Sequence, residues 1–197
     1  MTAVFTRFAT LAAAAVAVGS LSTSARAQTG LPLPLRLTSF AVNMSNVGRG
    51  GASGTVDFTI NRWSTDAERK TLLDAFQKGG GKSLLSALED AKSIGTIKIP
   101  SRVGYDLRYA RHVPLAEGDT RIILATNRPM DFYELQSGAR TVDYPFTLIE
   151  IRLNNALEGE GKISVAVKIT ANTKDDTIEL ENWASEPVRL QQVKILK

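Results

Sequence analysis

From residue 94 to the C-terminus, outside the irregular segment Asn127 to Asp143, the apolar residues recur at every second position, and that alternation governs what the chain can fold into. Extended runs of this kind each have one face to bury. The runs are Ile94 to Ile99, Gly104 to Val113, Thr120 to Thr126, Pro145 to Leu153, Lys162 to Thr170, Thr177 to Trp183 and Val188 to Leu196. Turn-forming stretches part most of them: Ala116-Glu117-Gly118-Asp119, Glu158-Gly159-Glu160-Gly161, Asn172-Thr173-Lys174-Asp175-Asp176 and Ser185-Glu186-Pro187. Connections this short join antiparallel neighbours, because a parallel pair needs a long crossover.

Upstream, Leu35 to Val42 alternates, Asn43 to Gly54 is a glycine-bearing loop, and Thr55 to Trp63 alternates again with Val56, Phe58 and Ile60 on one face. Helical spacing occurs only after that. Thr65-x-x-Glu68 is a capping-box pattern, followed by Leu72, Leu73 and Phe76 on one side. Gly79-Gly80-Gly81 interrupts, and Ser83 precedes Leu84, Leu85, Leu88 and Ala91. The pattern predicts a mainly β fold. About nine antiparallel strands form a meander, curved or closed into a barrel, with a helical hairpin at about 65–92 inserted after strand 2. A two-sheet sandwich is the alternative. Residues 34–197 read as one domain, and 28–33 as a flexible lead-in.

Arg7, the apolar run Phe8 to Val18, and Ser24-Ala25-Arg26-Ala27 have the form of a secretory signal peptide cleaved after Ala27. The chain holds no cysteine, so it carries no lipoprotein anchor residue and no disulfide. The expected location is therefore the periplasm or the exterior of a bacterial cell. Two of the 24 basic residues, Arg7 and Arg26, fall in the leader, which leaves 22 against 20 acidic ones. Signs are interspersed, and no basic stripe suited to nucleic acid occurs. No apolar run past the leader has the length of a membrane span.

Chemical signatures are sparse. His112 is the only histidine, which argues against a transition-metal site and restricts acid–base chemistry to one imidazole. The run Gly104 to His112 sets Tyr105, Leu107, Tyr109 and Arg111 on one face and Asp106, Arg108, Ala110 and His112 on the other. Tyr105, Arg108, Tyr109, Arg111 and His112 are the candidate ligand-binding residues, with Arg108 or Arg111 able to pair an anionic group through its planar fork. The ordinary alternative is aromatic cross-strand packing beside a solvated face.

Other motifs fail on their context. Gly80-Gly81-Lys82-Ser83 lacks the preceding glycine and strand of a phosphate-cradling loop, and reads as a helix–helix turn. Gly48 to Gly54 lacks the following helix of a dinucleotide loop. Glu150 with Glu179 or Glu181 has the residue types of a two-carboxylate site, for which cross-strand ion pairing is the plainer use. Asp175-Asp176 lacks an alternating acidic calcium loop. No nucleophile elbow is present, no Ser-His-Asp set can be assembled, and no cofactor is called for.

The strings Asn61 to Arg69, Gly104 to Arg111, Tyr144 to Glu150 and Glu179 to Trp183 resemble those of a group of small exported bacterial proteins without an assigned activity. The resemblance implies an exported single domain and carries over no functional residue. Lipocalins share the expected architecture, but their early Gly-x-Trp pattern is missing: Trp63 follows Asn61-Arg62 after the second strand. The leading expectation is a non-enzymatic binding protein for a small, partly apolar ligand. An envelope structural or protein-interaction module comes second, and a hydrolase of envelope polymers or esters third.

Overall fold

The alternation closes on itself. The computed structural model describes residues 31–43, 53–100, 103–115, 118–128, 130, 146–164, 167–172, 177–182 and 188–196, with backbone alone for 167–172 and 177–182. Its strands are β1 (Leu35–Asn43), β2 (Ser53–Ile60), β3 (Gly95–Lys98), β4 (Tyr105–Pro114), β5 (Thr120–Thr126), β6 (Leu148–Leu153), β7 (Glu158–Ser164), β8 (Val167–Asn172), β9 (Thr177–Asn182) and β10 (Val188–Ile195), with one helix, α1 (Asp66–Asp90), between β2 and β3. Eight of the strands form a closed barrel in the order β1-β10-β7-β6-β5-β4-β3-β2, and β8 pairs only with β9 in a separate ribbon. Every barrel pairing is antiparallel. The barrel is thus the outcome, and the sandwich is excluded.

Why the barrel closes follows from the register. Leu37 faces Phe58 across β1–β2, and Phe58 faces Ile97 across β2–β3. Ile122 faces Ile151 across β5–β6. All five are buried to within 1 % and belong to one interior cluster. Eight strands give an interior just wide enough for side chains to fill, and leucine, isoleucine, valine and alanine with Phe58, Tyr105 and Met130 fill this one. The outward positions hold Arg36, Lys98, Asp106, Arg152, Glu160, Lys162, Arg189 and Lys194. A charged exterior around an apolar interior is the reverse of a membrane-spanning barrel, which needs an apolar outer band. No described helix is long and apolar enough to cross a membrane.

The helix covers one side of the wall. Thr65 caps it: its hydroxyl accepts from the Glu68 amide at 3.2 Å, and the Glu68 carboxylate accepts from the Thr65 amide at 2.8 Å. Arg62 grips the same carboxylate with both guanidinium nitrogens, at 2.9 and 2.8 Å. That fork, then the Thr65 amide, hold the Glu68 carboxyl at a pKa of about 2. Leu72, Phe76, Leu84 and Leu88 pack on Ala125 and Phe146 outside the barrel, with Tyr109 and Leu148 at the margin. Tyr109, Ala125 and Leu148 form one cross-strand row, so the helix rests on a single apolar line of the outer wall.

The expected helical insertion after β2 is present as two helical segments across a kink, where Gly79 and Gly80 leave the helical region and Gly80 adopts φ 62°. Three other expectations are corrected. Glu158 to Gly161 is no turn but the first half of β7, and the turn lies at Asn154 to Leu157. There Asn154 Oδ1 accepts from the Ala156 and Glu158 amides at 2.8 and 3.2 Å. The glycines of β7 serve close approach: a Cβ at Gly159 would run into the Arg152 carbonyl. The single run Lys162 to Thr170 is two strands, β7 leaving the barrel at Ser164 and β8 starting at Val167. Leu31, in the expected loose lead-in, packs against the interior cluster. The leader and nearly all of the glycine loop and the Asn127 to Asp143 segment lie outside the described residues.

Candidate functional site

The five candidate residues all lie on β4, and a β-bulge decides where each one points. The register with β5 shifts between Leu107 and Tyr109. An extra residue in one strand re-aims every side chain beyond it. Tyr105 and Leu107 face inward, but past the bulge Ala110 takes over the inward position. The two-faced pattern read from the sequence therefore breaks in mid-strand. Tyr105 and Arg111 end on opposite sides of the wall, as do Asp106 and His112.

The residues go to separate places. Tyr105 is buried in the interior, with the Arg128 guanidinium over its ring at 4.5 Å. Arg108 closes the C-terminal end of α1: Nη1 donates to the Ala91 carbonyl at 2.6 Å, and Nη2 meets Asp106 Oδ2 at 3.1 Å. A cation there satisfies late helical carbonyls and favours the helix dipole. Tyr109 lies under α1, where burial, the larger influence, raises its pKa against the nearby charges of Arg111 and Arg69. Arg111 points outward to the start of α1, with Nη1 3.6 Å from Asp66 Oδ1.

His112 is placed differently. It shares the inward side with Ala110 and sits at the barrel end where β4 finishes and β5 begins. Trp63, just past β2, leans on it with ring centroids 4.6 Å apart and planes at 45°. Ser64 fixes this meeting, since its amide donates to the Ala110 carbonyl at 2.8 Å and its hydroxyl accepts from the Ala110 amide at 3.1 Å. Leu31 and Ile195 are half-buried against the interior cluster, as Trp63 is. The Nδ1 atom of His112 is shielded from solvent and has no hydrogen-bond partner. A buried polar atom left in that state needs a reason, because an unmade hydrogen bond costs about 1–3 kcal/mol.

Burial, and secondarily the charge of Arg111, lower the His112 pKa below its ordinary 6.5. The unfolded chain then takes up a proton at a higher pH than the folded one does. Stability from the neutral ring is complete above the unfolded value and declines as pH falls through it toward the lower folded value. Urea unfolding from about pH 7.5 to about pH 5 is expected to show that decline in the wild type. His112→Gln should flatten it, whereas an unchanged pH slope would contradict the burial argument.

The remaining candidates are accounted for locally. The Glu150 carboxylate is held by Lys162 Nζ at 3.6 Å across the β6–β7 ladder, the cross-strand ion pair expected, and by Arg152 Nε on its own strand at 2.9 Å. The side chains of Glu179 and Glu181, and residues Asp175 and Asp176, lie outside the described set. Gly80 is part of the break in α1, and Gly81-Lys82-Ser83 are helical residues just past it, with Gly81 buried. Asp106 bonds to Arg108 and Ser93 on the outer surface, away from His112. Among the described residues no group of three His, Cys, Asp or Glu side chains is placed to hold a metal ion.

Two arrangements had no legible signal in the sequence. The contact of Trp63 with His112 spans 49 positions and depends on the strand register. The facing of Arg121 by Arg152 across β5–β6 depends on it too. Comparison with protein-family models, curated proteins and solved structures gives no match.

Proposed function

We propose that the protein is an exported, non-enzymatic binding protein that takes a small, partly apolar ligand at the Trp63–His112 end of the barrel. One observation carries the reading: a shielded imidazole nitrogen without a partner, against the indole of Trp63. Such a combination suits a molecule with an apolar body and one hydrogen-bonding group. The barrel's middle is filled with leucine and isoleucine, so the end rather than the centre is the site in this reading.

Native mass spectrometry of mature protein purified from its own host's envelope tests it. The expected result is an added mass that leaves on denaturation and is depleted in Trp63→Ala. A clean apo mass from wild-type protein would remove the proposal.

The second reading, an envelope interaction module, is favoured by the β8–β9 ribbon. Its strands pair with no other described strand, and an extended partner segment could add to such an edge. Crosslinking in the host envelope to a protein partner through residues 167–182 would support it.

A further inference from the structure

The outer wall of β4, β5 and β6 gathers three arginines that the folding of the barrel alone does not call for. Arg121 stands directly opposite Arg152 in the β5–β6 ladder. Arg111 stands opposite Ile123, two residues along β5 from Arg121 and on the same face. All three point outward, because Ala110, Ile122 and Ile151 between them are buried in the interior. Directly opposed like charges on a sheet destabilise it.

The acidic residues nearby offset Arg152 and, loosely, Arg111, but leave Arg121 without a counter-charge. Glu150 is engaged by Arg152 and Lys162, and Asp66, 95 % exposed, meets only Arg111 Nη1 at 3.6 Å. Glu160 stands opposite Arg152 and is exposed. Arg69 adds a further cation close to Tyr109. Arg121 makes no ion pair among the described residues, and its Nε is shielded without a hydrogen-bond partner. Arg111 Nη1 likewise has no hydrogen bond.

We propose that Arg111, Arg121 and Arg152 form a binding site for a phosphoryl group on the outer wall of the barrel. Three guanidinium groups from three adjacent strands can approach an anion from three directions. That suits a tetrahedral group with three terminal oxygens better than a planar carboxylate with two. A bound phosphoryl group would also screen the opposition of Arg121 and Arg152. The site lies on the other side of the wall from His112 and does not rest on the ligand proposed there.

The test is calorimetric titration of the full folded protein at low ionic strength with inorganic phosphate, and sedimentation with phosphatidylcholine vesicles containing phosphatidic acid, whose monoester headgroup keeps three terminal oxygens. Arg121→Gln is the main variant because its side chain makes no ion pair whose loss would disturb the fold. Arg189→Gln, exposed on β10 two strands beyond β6 in the barrel order, controls for general charge. Saturable phosphate binding, weakened about tenfold or more by Arg121→Gln and less than about twofold by Arg189→Gln, is expected for a free phosphate ligand. Vesicle binding with the same dependence, and silence toward free phosphate, assigns the group to a lipid headgroup. Arg121→Lys should recover only part of the affinity, since a point charge lacks the planar fork. Arg121→Gln is expected to melt no lower than wild type. Absence of binding to both probes, or equal weakening by the two Gln variants, overturns the proposal.

Discussion

Phe58→Ala is expected to destabilise the protein by about 3–5 kcal/mol, the cost of losing a buried aromatic side chain together with the cavity it leaves. Phe58 is 1 % exposed and stands in the inward row between Leu37 on β1 and Ile97 on β3. Strands on both sides are fixed by their own ladders, so the wall cannot collapse freely into the space. At about 2–4 °C per kcal/mol for a domain of this size, the thermal midpoint should fall by about 6–20 °C. Thermal and urea unfolding read this directly. A loss under about 1 kcal/mol would mean that the interior is loosely filled, contrary to the close packing described.

The second large effect comes from adding one methyl group. Gly159→Ala places a Cβ against the Arg152 carbonyl and within 3.1 Å of the Leu153 Cα. Both are backbone atoms of β6, so no rotamer change relieves the contact, and β7 must move out of its ladder. Overpacking of this kind costs about 1–3 kcal/mol, and a backbone collision belongs at or above the upper end. Gly54→Ala is the matched control, since its added Cβ meets nothing within 4 Å. The control should change stability by less than about 1 kcal/mol in either direction. Equal effects of the two substitutions would show that strand glycines matter here through chain entropy and not through close approach.

What the sequence reveals divides along physical lines. Period-two alternation is local, and it correctly marks β1 and β5 because one buried face repeats without interruption along each, whereas in β10 a bulge before Val193 shifts the phase. The capping box at Thr65 and Glu68 is local as well, and both of its hydrogen bonds are present. Alternation says nothing of which strand lies beside which, so closure had to come from the ladders. Gly159 and Gly161 illustrate the opposite failure: glycine marks turns and close approaches alike, and only the neighbouring strand distinguishes them. The bulge in β4 is the costliest omission for the candidate site. No residue between Leu107 and Tyr109 announces it, yet it determines that His112 faces inward and Arg111 outward.

That bulge leaves two consecutive residues with access to different compartments of the molecule. The charge of Arg111 reaches His112 through the thickness of a single strand and helps to keep the imidazole neutral. An anion seated on Arg111 would offset that charge and raise the proton affinity of His112. By thermodynamic reciprocity a protonated His112 would then tighten the hold on the anion. With such an anion bound, the barrel wall at this point would act as a relay one peptide unit long, through which acidity on the inner side and anion occupancy on the outer side report on each other.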